Sequence, residues 1–206
     1  MKVRSVTELQ ELLDSEFAWR IKELSLIKGT IHQADGPAQK AFLRAGIPIL
    51  YAHWEGFVKI ASTAYIDFVN RQKLRHEELS PCFVAMAARR HLENFGQAKK
   101  ARIHIEVVKF FLDNLTERAS LGDFSGLQTK SNLNAEVFEN IACAIGVNPV
   151  NYEAKFKFLD ESLLRRRNEA HGAYLDIDKD SFDDLLQEVL TLLRQYKTDI
   201  ENCATL

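Results

Sequence analysis

Apolar residues recur every three or four positions along most of the chain. In the first segment Leu9, Leu12, Leu13, Phe17, Ile21, Leu24 and Ile27 follow Ser5 and Thr7, either of which can cap a helix start. That spacing lays a single apolar stripe along one helix. The stripe stops at Gly36-Pro37, a strong break signal. A denser run follows, with Phe42, Ile49, Leu50, Trp54, Phe57, Val58, Ala61, Tyr65, Phe68 and Val69 at helical spacing. Its aromatic content predicts the central core helix, kinked or briefly broken where Gly46 and Pro48 fall inside it.

Ser80-Pro81 pairs a capping residue with a proline at the first helical position, and so predicts a helix through "PCFVAMAARRHLENF". In "KARIHIEVVKFFLDNL" the residues Ile103, Ile105 and Val107 alternate as a strand would. The run into Phe110, Phe111 and Leu112 fits a helix better among helical neighbours. Residues 116–134, "TERASLGDFSGLQTKSNLN", are rich in Ser, Thr and Gly and predict a long loop of the kind that often carries function. After it, "NAEVFENIACAIGV" reads as a short helix closed by Gly146, and "VNPVNYEAKF" as a turn. Ser181, with Asp184 three residues on, predicts the capped start of a terminal helix. So many one-sided stripes predict an all-α fold: a single domain over residues 1–206, built as a bundle of about five to seven helices.

Composition narrows the function classes. Hydrophobic residues make up 46% and charged residues 27% of the 206 positions, a globular balance that excludes disordered and fibrous classes. A net charge of −2 excludes a broad basic surface, so any nucleic-acid contact must be local. Cys82, Cys143 and Cys203 are odd in number and far apart, which predicts free thiols in a reducing compartment. No apolar stretch is long enough to span a bilayer, and "MKVRSVTELQELLDSEF" turns polar too soon for a secretion signal. A cytoplasmic protein without membrane contact is the expectation.

Familiar enzyme signatures are missing: there is no phosphate-binding glycine loop, no HExxH, no GxSxG and no paired-cysteine metal pattern. His32, His76, His91 and His104 have no ligand-type partner four residues away, so neither a metal nor a cofactor is expected, and they read as surface or satisfied histidines. His53, between Tyr51 and Trp54, reads as a buried, hydrogen-bonded histidine or a supporting site residue. Arg89, Arg90, Lys99, Lys100 and Arg102 read either as solvated helix faces or as part of an RNA-contact surface.

The stretch "LLRRRNEAHGAYL", Leu163 to Leu175, is different because its polar cluster sits where an apolar stripe should continue. Phe156, Leu159, Leu163 and Leu164 define a buried face, and α-helical spacing would put Leu163, Arg167 and His171 on one side. A partly desolvated histidine can move protons near neutral pH, and an arginine beside it can hold a phosphate by two parallel hydrogen bonds. That pairing suits RNA cleavage. The histidine would assist attack by the 2′-hydroxyl or protonate the leaving 5′-oxygen, and the arginine would stabilise charge on the phosphorus centre. The competing reading is an arginine-rich last helical turn, favoured by the helix dipole and capped at Gly172.

"RRRNEAHG" resembles the Arg-Xaa(4–6)-His motif of the HEPN superfamily, through Arg166 or Arg167, Asn168, Ala170, His171 and Gly172. The helix "ILYAHWEGFVKIASTAYIDFV" resembles an upstream stretch of one HEPN subgroup, which carries a YAHWEG-like sequence. Together with the all-helical reading, the two stretches make the resemblance span most of the chain. It implies a helical bundle that forms a homodimer, with two motifs facing one composite cleft. It also implies a metal-independent endoribonuclease of a toxin–antitoxin or phage-defence system, with RNA as substrate and an antitoxin or defence-system protein as a further partner. The alternative within the superfamily is a non-catalytic module that binds RNA, a nucleotide or a protein. Carried over by residue, His171 is the general acid/base, Arg166 or Arg167 the phosphate clamp, and Asn168 a polar orienting group. Four residues separate Arg166 from His171, whereas Arg167 has the expected Asn168 neighbour but only three intervening residues. Tyr174, three residues after His171, reads as a packing or RNA-stacking tyrosine.

Overall fold

The computed structural model describes residues 2–97, 100–122, 132–164, 166–167 and 177–205. Eight α-helices occur among them: α1 (Val6–Gln33), α2 (Gly36–Gln72), α3 (Pro81–Ala87), α4 (Arg89–Gln97), α5 (Ala101–Asp113), α6 (Ala135–Ala144), α7 (Glu153–Lys157) and α8 (Lys179–Thr205). No strand occurs among the described residues, and Arg75 and Arg118 form an isolated bridge. The chain is all-α, as its periodicity predicts. The single helix expected from Pro81 is divided at Ala88 into α3 and α4, which raises the number of elements by one.

The three long helices α1, α2 and α8 pack mutually and hold most of the core. α1 begins where Ser5 Oγ accepts a hydrogen bond from the Glu8 N–H at 3.1 Å, so Ser5 rather than Thr7 is the cap. Its buried side is Leu9, Leu13, Leu24 and Ile31, with Leu12, Phe17 and Ile27 partly buried at the edge of the core. Between them Arg20 is also buried. Two ion pairs set how α1 lies along α8: Lys28 with Asp183 at 2.8 Å and Asp14 with Lys197 at 2.8 Å.

α2 is the central helix. The expected break at Gly46 and Pro48 is absent: α2 is continuous from Gly36 to Gln72. Pro48 cannot donate to the Arg44 carbonyl, a loss that packing must offset. Gly46 supplies that packing. A Cβ at Gly46 would stand 2.6 Å from the Phe182 ring, so the missing side chain is what lets α8 close against α2 at this level. Phe42, expected inward, is exposed, and its neighbour Leu43 takes the buried place. Further along, Trp54 meets Phe138 at 5.2 Å and Tyr196 at 6.2 Å between ring centroids, and Phe138 meets Tyr152 at 4.8 Å. These aromatic rings join α2, α6, the turn before α7 and α8. The two tyrosine hydroxyls are satisfied, Tyr152 donating to Asp199 at 2.8 Å and Tyr196 pairing with Ser62 at 2.6 Å, whereas the buried Trp54 Nε1–H has no partner among the described residues.

α8 starts at Lys179, two residues before the expected Ser181 cap. Asp178 caps it instead, its Oδ1 accepting from the Ser181 N–H at 2.7 Å. Of the expected 116–134 loop, residues 116–122 and 132–134 lie outside helices, and 123–131 lie outside the described residues. Ala119, Leu121 and Leu133 are nevertheless buried, so the described flanks of the loop are tied to the core. None of the helices among the described residues is long and apolar enough to cross a membrane.

Candidate functional site

The segment leading into the arginines is not a plain α-helix. After α7 the backbone winds as a π-helix from Phe158 to Leu164, with Leu159, Leu163 and Leu164 buried. Such wide turns are rare and recur at functional sites because they rotate the residues that follow. The α-helical count that puts Leu163, Arg167 and His171 on one side therefore does not apply before Leu164, and Phe156 is only partly buried. Asn168, Ala170, His171, Gly172 and Tyr174 lie outside the described residues.

Arg166 and Arg167 are described, and both are half-buried. The guanidinium of Arg167 lies over the Tyr51 ring, 4.7 Å from its centroid. A cation in that position is attracted by the negative face of the ring. Arg166 instead adds its field to Asp178. The Ser181 N–H and hydroxyl hold the Asp178 carboxyl below the usual carboxylate range, and Arg166 lowers it further. Arg167 thus touches the Tyr51 ring, and Arg166 acts on Asp178.

Tyr51 is itself fixed from behind. Its hydroxyl accepts a hydrogen bond from the Leu133 N–H, and Asp160 in the π-helix accepts one from the Ala135 N–H at 2.7 Å. Both bonds pin residues 133–135, at the entry to α6, against the wall that carries Arg167. Burial, together with the charge of Glu55, pushes the Tyr51 hydroxyl up to about 12, and the Leu133 N–H and Arg167 pull in the opposite direction. Tyr51 is therefore a neutral phenol at any ordinary pH. Glu55, one turn further along α2, has a buried Oε1 with no hydrogen-bond partner among the described residues. An acceptor left in that condition is costly unless a donor arrives.

On another side of α2, His53 is buried, as its sequence context predicts. Its Nε2 is 3.2 Å from Glu23, its ring sits 5.2 Å from Trp19, and its Nδ1 is buried with no partner among the described residues. Burial lowers its pKa below the ordinary 6.5; Glu23 pulls it back up and Arg20 lowers it further. The remaining histidines have ordinary structural partners: His32 meets Asp183, His76 meets the Glu117 carbonyl, and His91 and His104 stack near Phe110 and Phe95.

Sequence reasoning names Arg166 and Arg167 but gives Tyr51, Glu55, Asp160 and Asp178 no role beside them. Only Tyr51 and Glu55 carried a signal, as members of the upstream "YAHWEG" stretch. The fold brings Tyr51 of that stretch to Arg167 although more than a hundred residues separate them. Among the described residues no group of three or more histidines, cysteines and carboxylates could hold a metal ion.

No curated protein and no solved structure matches this chain. The pattern of one family does, over residues 15–202, which takes in both the α2 stretch and the arginine-histidine segment. Its helical class agrees with that match, and the chain belongs to the RiboL-PSP-HEPN family of the HEPN superfamily.

Proposed function

We propose that this protein is a metal-independent endoribonuclease acting in a toxin–antitoxin or phage-defence setting. Its cleft is shared between two copies of the chain, and RNA is cut by attack of its own 2′-hydroxyl. His171 is the general acid/base, Asn168 a polar orienting group, and Arg167 the phosphate clamp, with Arg166 adding positive field nearby. Tyr51 is a positioning residue: its ring carries the Arg167 guanidinium. The observation that supports this reading most is the 4.7 Å contact between Arg167 and Tyr51, because it joins the two stretches that carry the family resemblance into one wall. An arginine held in place before substrate arrives loses less freedom on binding phosphate, and stabilises the transition state correspondingly better.

The chemistry closes without a further reagent. A base removes the 2′-hydroxyl proton, the oxygen attacks phosphorus, and the 5′-oxygen leaves with a proton, so one fragment ends in a 2′,3′-cyclic phosphate and the other in a 5′-hydroxyl. The test is incubation of the purified chain with structured RNA in EDTA, followed by analysis of fragment ends. Cyclic-phosphate ends that disappear in His171→Ala, with an unchanged helical spectrum, are the expected result. Binding of RNA without cleavage would identify a non-catalytic module instead, and undiminished cleavage by His171→Ala would overturn the assignment of that residue.

A further inference from the structure

Four buried polar side-chain atoms have no hydrogen-bond partner among the described residues: Arg20 Nε, His53 Nδ1, Trp54 Nε1 and Glu55 Oε1. Arg20 and His53 each meet a carboxylate through another nitrogen, Glu16 and Glu23 respectively. Trp54 is packed against the Phe138 and Tyr196 rings in the core. Glu55 differs from these three. It is the one carboxylate among them, and the residue as a whole keeps part of its surface accessible. A buried acceptor without a donor is a cost that calls for a reason.

The position of Glu55 supplies one. It follows Tyr51 by four residues of α2, so the two side chains leave the helix within about 40° of each other, with Cβ atoms about 5–6 Å apart. Helical side chains lean toward the N-terminus of their helix, which carries the Glu55 carboxyl back toward Tyr51. The electrostatics agree: Glu55 raises the pKa of the Tyr51 hydroxyl and Arg167 lowers it, so both charges act on one phenol. Glu55 nevertheless forms no ion pair among the described residues, although Lys59 stands one turn ahead of it. An open acceptor and a cation on either side of one ring suit a ligand that is an anion and a donor at once. A ribose phosphate is such a ligand: its phosphate oxygens match a guanidinium, and its 2′-hydroxyl can donate to a carboxylate.

Two proton transfers accompany RNA cleavage, one from the 2′-hydroxyl and one to the 5′-oxygen. We infer that Glu55 is the general base that takes the 2′-hydroxyl proton, which leaves His171 to act as the acid. This assignment rests on the endoribonuclease reading above. The Glu55 carboxylate removes the proton, the 2′-oxygen bonds to phosphorus, the bond to the 5′-oxygen breaks, and the imidazolium of His171 protonates that oxygen. Glu55 ends as a carboxylic acid and His171 as a neutral imidazole, and exchange with water restores both. An acceptor already out of water gains more from an arriving donor than a solvated one does.

The test compares single-turnover cleavage of one structured RNA in EDTA with cleavage of the same RNA carrying sulfur in place of one leaving 5′-oxygen. A thiolate departs without an acid, so the sulfur substrate relieves the loss of an acid but not of a base. Glu55→Gln is expected to slow both substrates about 10²–10⁴-fold without lowering the melting temperature. Glu55→Asp, which keeps a carboxylate on a shorter arm, is expected to recover part of that rate, and His171→Ala to recover on the sulfur substrate alone. A near-wild-type rate for Glu55→Gln, or its rescue by sulfur, would overturn the inference. Weaker RNA binding with an unchanged maximal rate would overturn it too, by making Glu55 a substrate-binding acceptor. So would a melting temperature that falls with the rate and no recovery in Glu55→Asp, which would mark a structural role. If the wild type leaves both substrates intact, the endoribonuclease reading itself fails, and the assignment with it.

Discussion

Arg20 and Arg167 both lean on aromatic rings, and their surroundings differ. Arg20 of α1 lies over Trp19 at 4.3 Å and Phe57 at 5.5 Å, is 2% exposed, pairs with Glu16 and donates to the Glu16 carbonyl at 2.7 Å. Gly56 leaves it room, since a Cβ there would stand 3.4 Å from the guanidinium. Arg167 lies over one ring, Tyr51, and is only half-buried at the end of the π-helical segment. The first cation is closed into the protein and its charge is answered there. The second keeps accessible surface beside the segment that carries Asn168 and His171. An arginine–aromatic contact thus says little by itself; how far the guanidinium is buried separates the two cases.

The sharpest way to break this comparison is to remove each arginine in turn. Arg167→Ala is expected to lower RNA cleavage by about 10²–10³-fold, the loss typical of one preorganised charge donor, while changing stability by about 1 kcal/mol or less. Arg166→Ala is expected to lower cleavage by about ten-fold or less, because Arg166 acts only through its field. Arg20→Ala should do the reverse, costing about 2–4 kcal/mol in denaturant unfolding with cleavage per folded molecule preserved. If Arg20→Ala proved harmless to stability, the contrast between the two sites would fail.

Tyr51→Phe is a finer probe. It keeps the ring under Arg167 but removes the acceptor for the Leu133 N–H, and is expected to cost about 1–2 kcal/mol with only a few-fold loss of cleavage. A loss as large as that of Arg167→Ala would mean that the hydroxyl, not the ring, is what matters. The smallest effect concerns pH. Because the folded pKa of His53 is depressed, the unfolded chain binds more protons between that value and 6.5. The contribution of His53 to stability is therefore complete above about 6.5 and falls away as pH drops through its folded pKa. Unfolding midpoints measured from pH 7.5 downward should decline more steeply for the wild type than for His53→Phe, and parallel curves would contradict the buried assignment.

The helices were legible in the sequence because each needs only local information: a stripe, a cap and a breaker. Where expectation and structure part, a distant residue decides the matter. Gly46 and Pro48 look like a break until Phe182, from the far end of the chain, fills the space that the glycine leaves. Ser181 looks like a cap until Asp178 reaches its N–H. Arg20 carried no signal in the sequence, and Trp19 and Phe57 closing around it make it part of the core. The two motifs were legible, but not the contact of Tyr51 in one with Arg167 in the other. No spacing rule brings Tyr51 under Arg167; the π-helix alters the α-helical count as far as Leu164, and His171 lies outside the described residues.

The central claim is that these two motifs work as one site, and a double-mutant cycle on cleavage rate tests it directly. Tyr51→Leu, Arg167→Ala and the double variant would be compared with the wild type on one structured RNA in EDTA, under single-turnover conditions. If Tyr51 acts by holding Arg167, the double variant cleaves about as slowly as Arg167→Ala alone, a strongly non-additive result. Effects that multiply, or a Tyr51→Leu variant that cleaves at the wild-type rate, would show that the ring and the arginine act independently and would contradict the account.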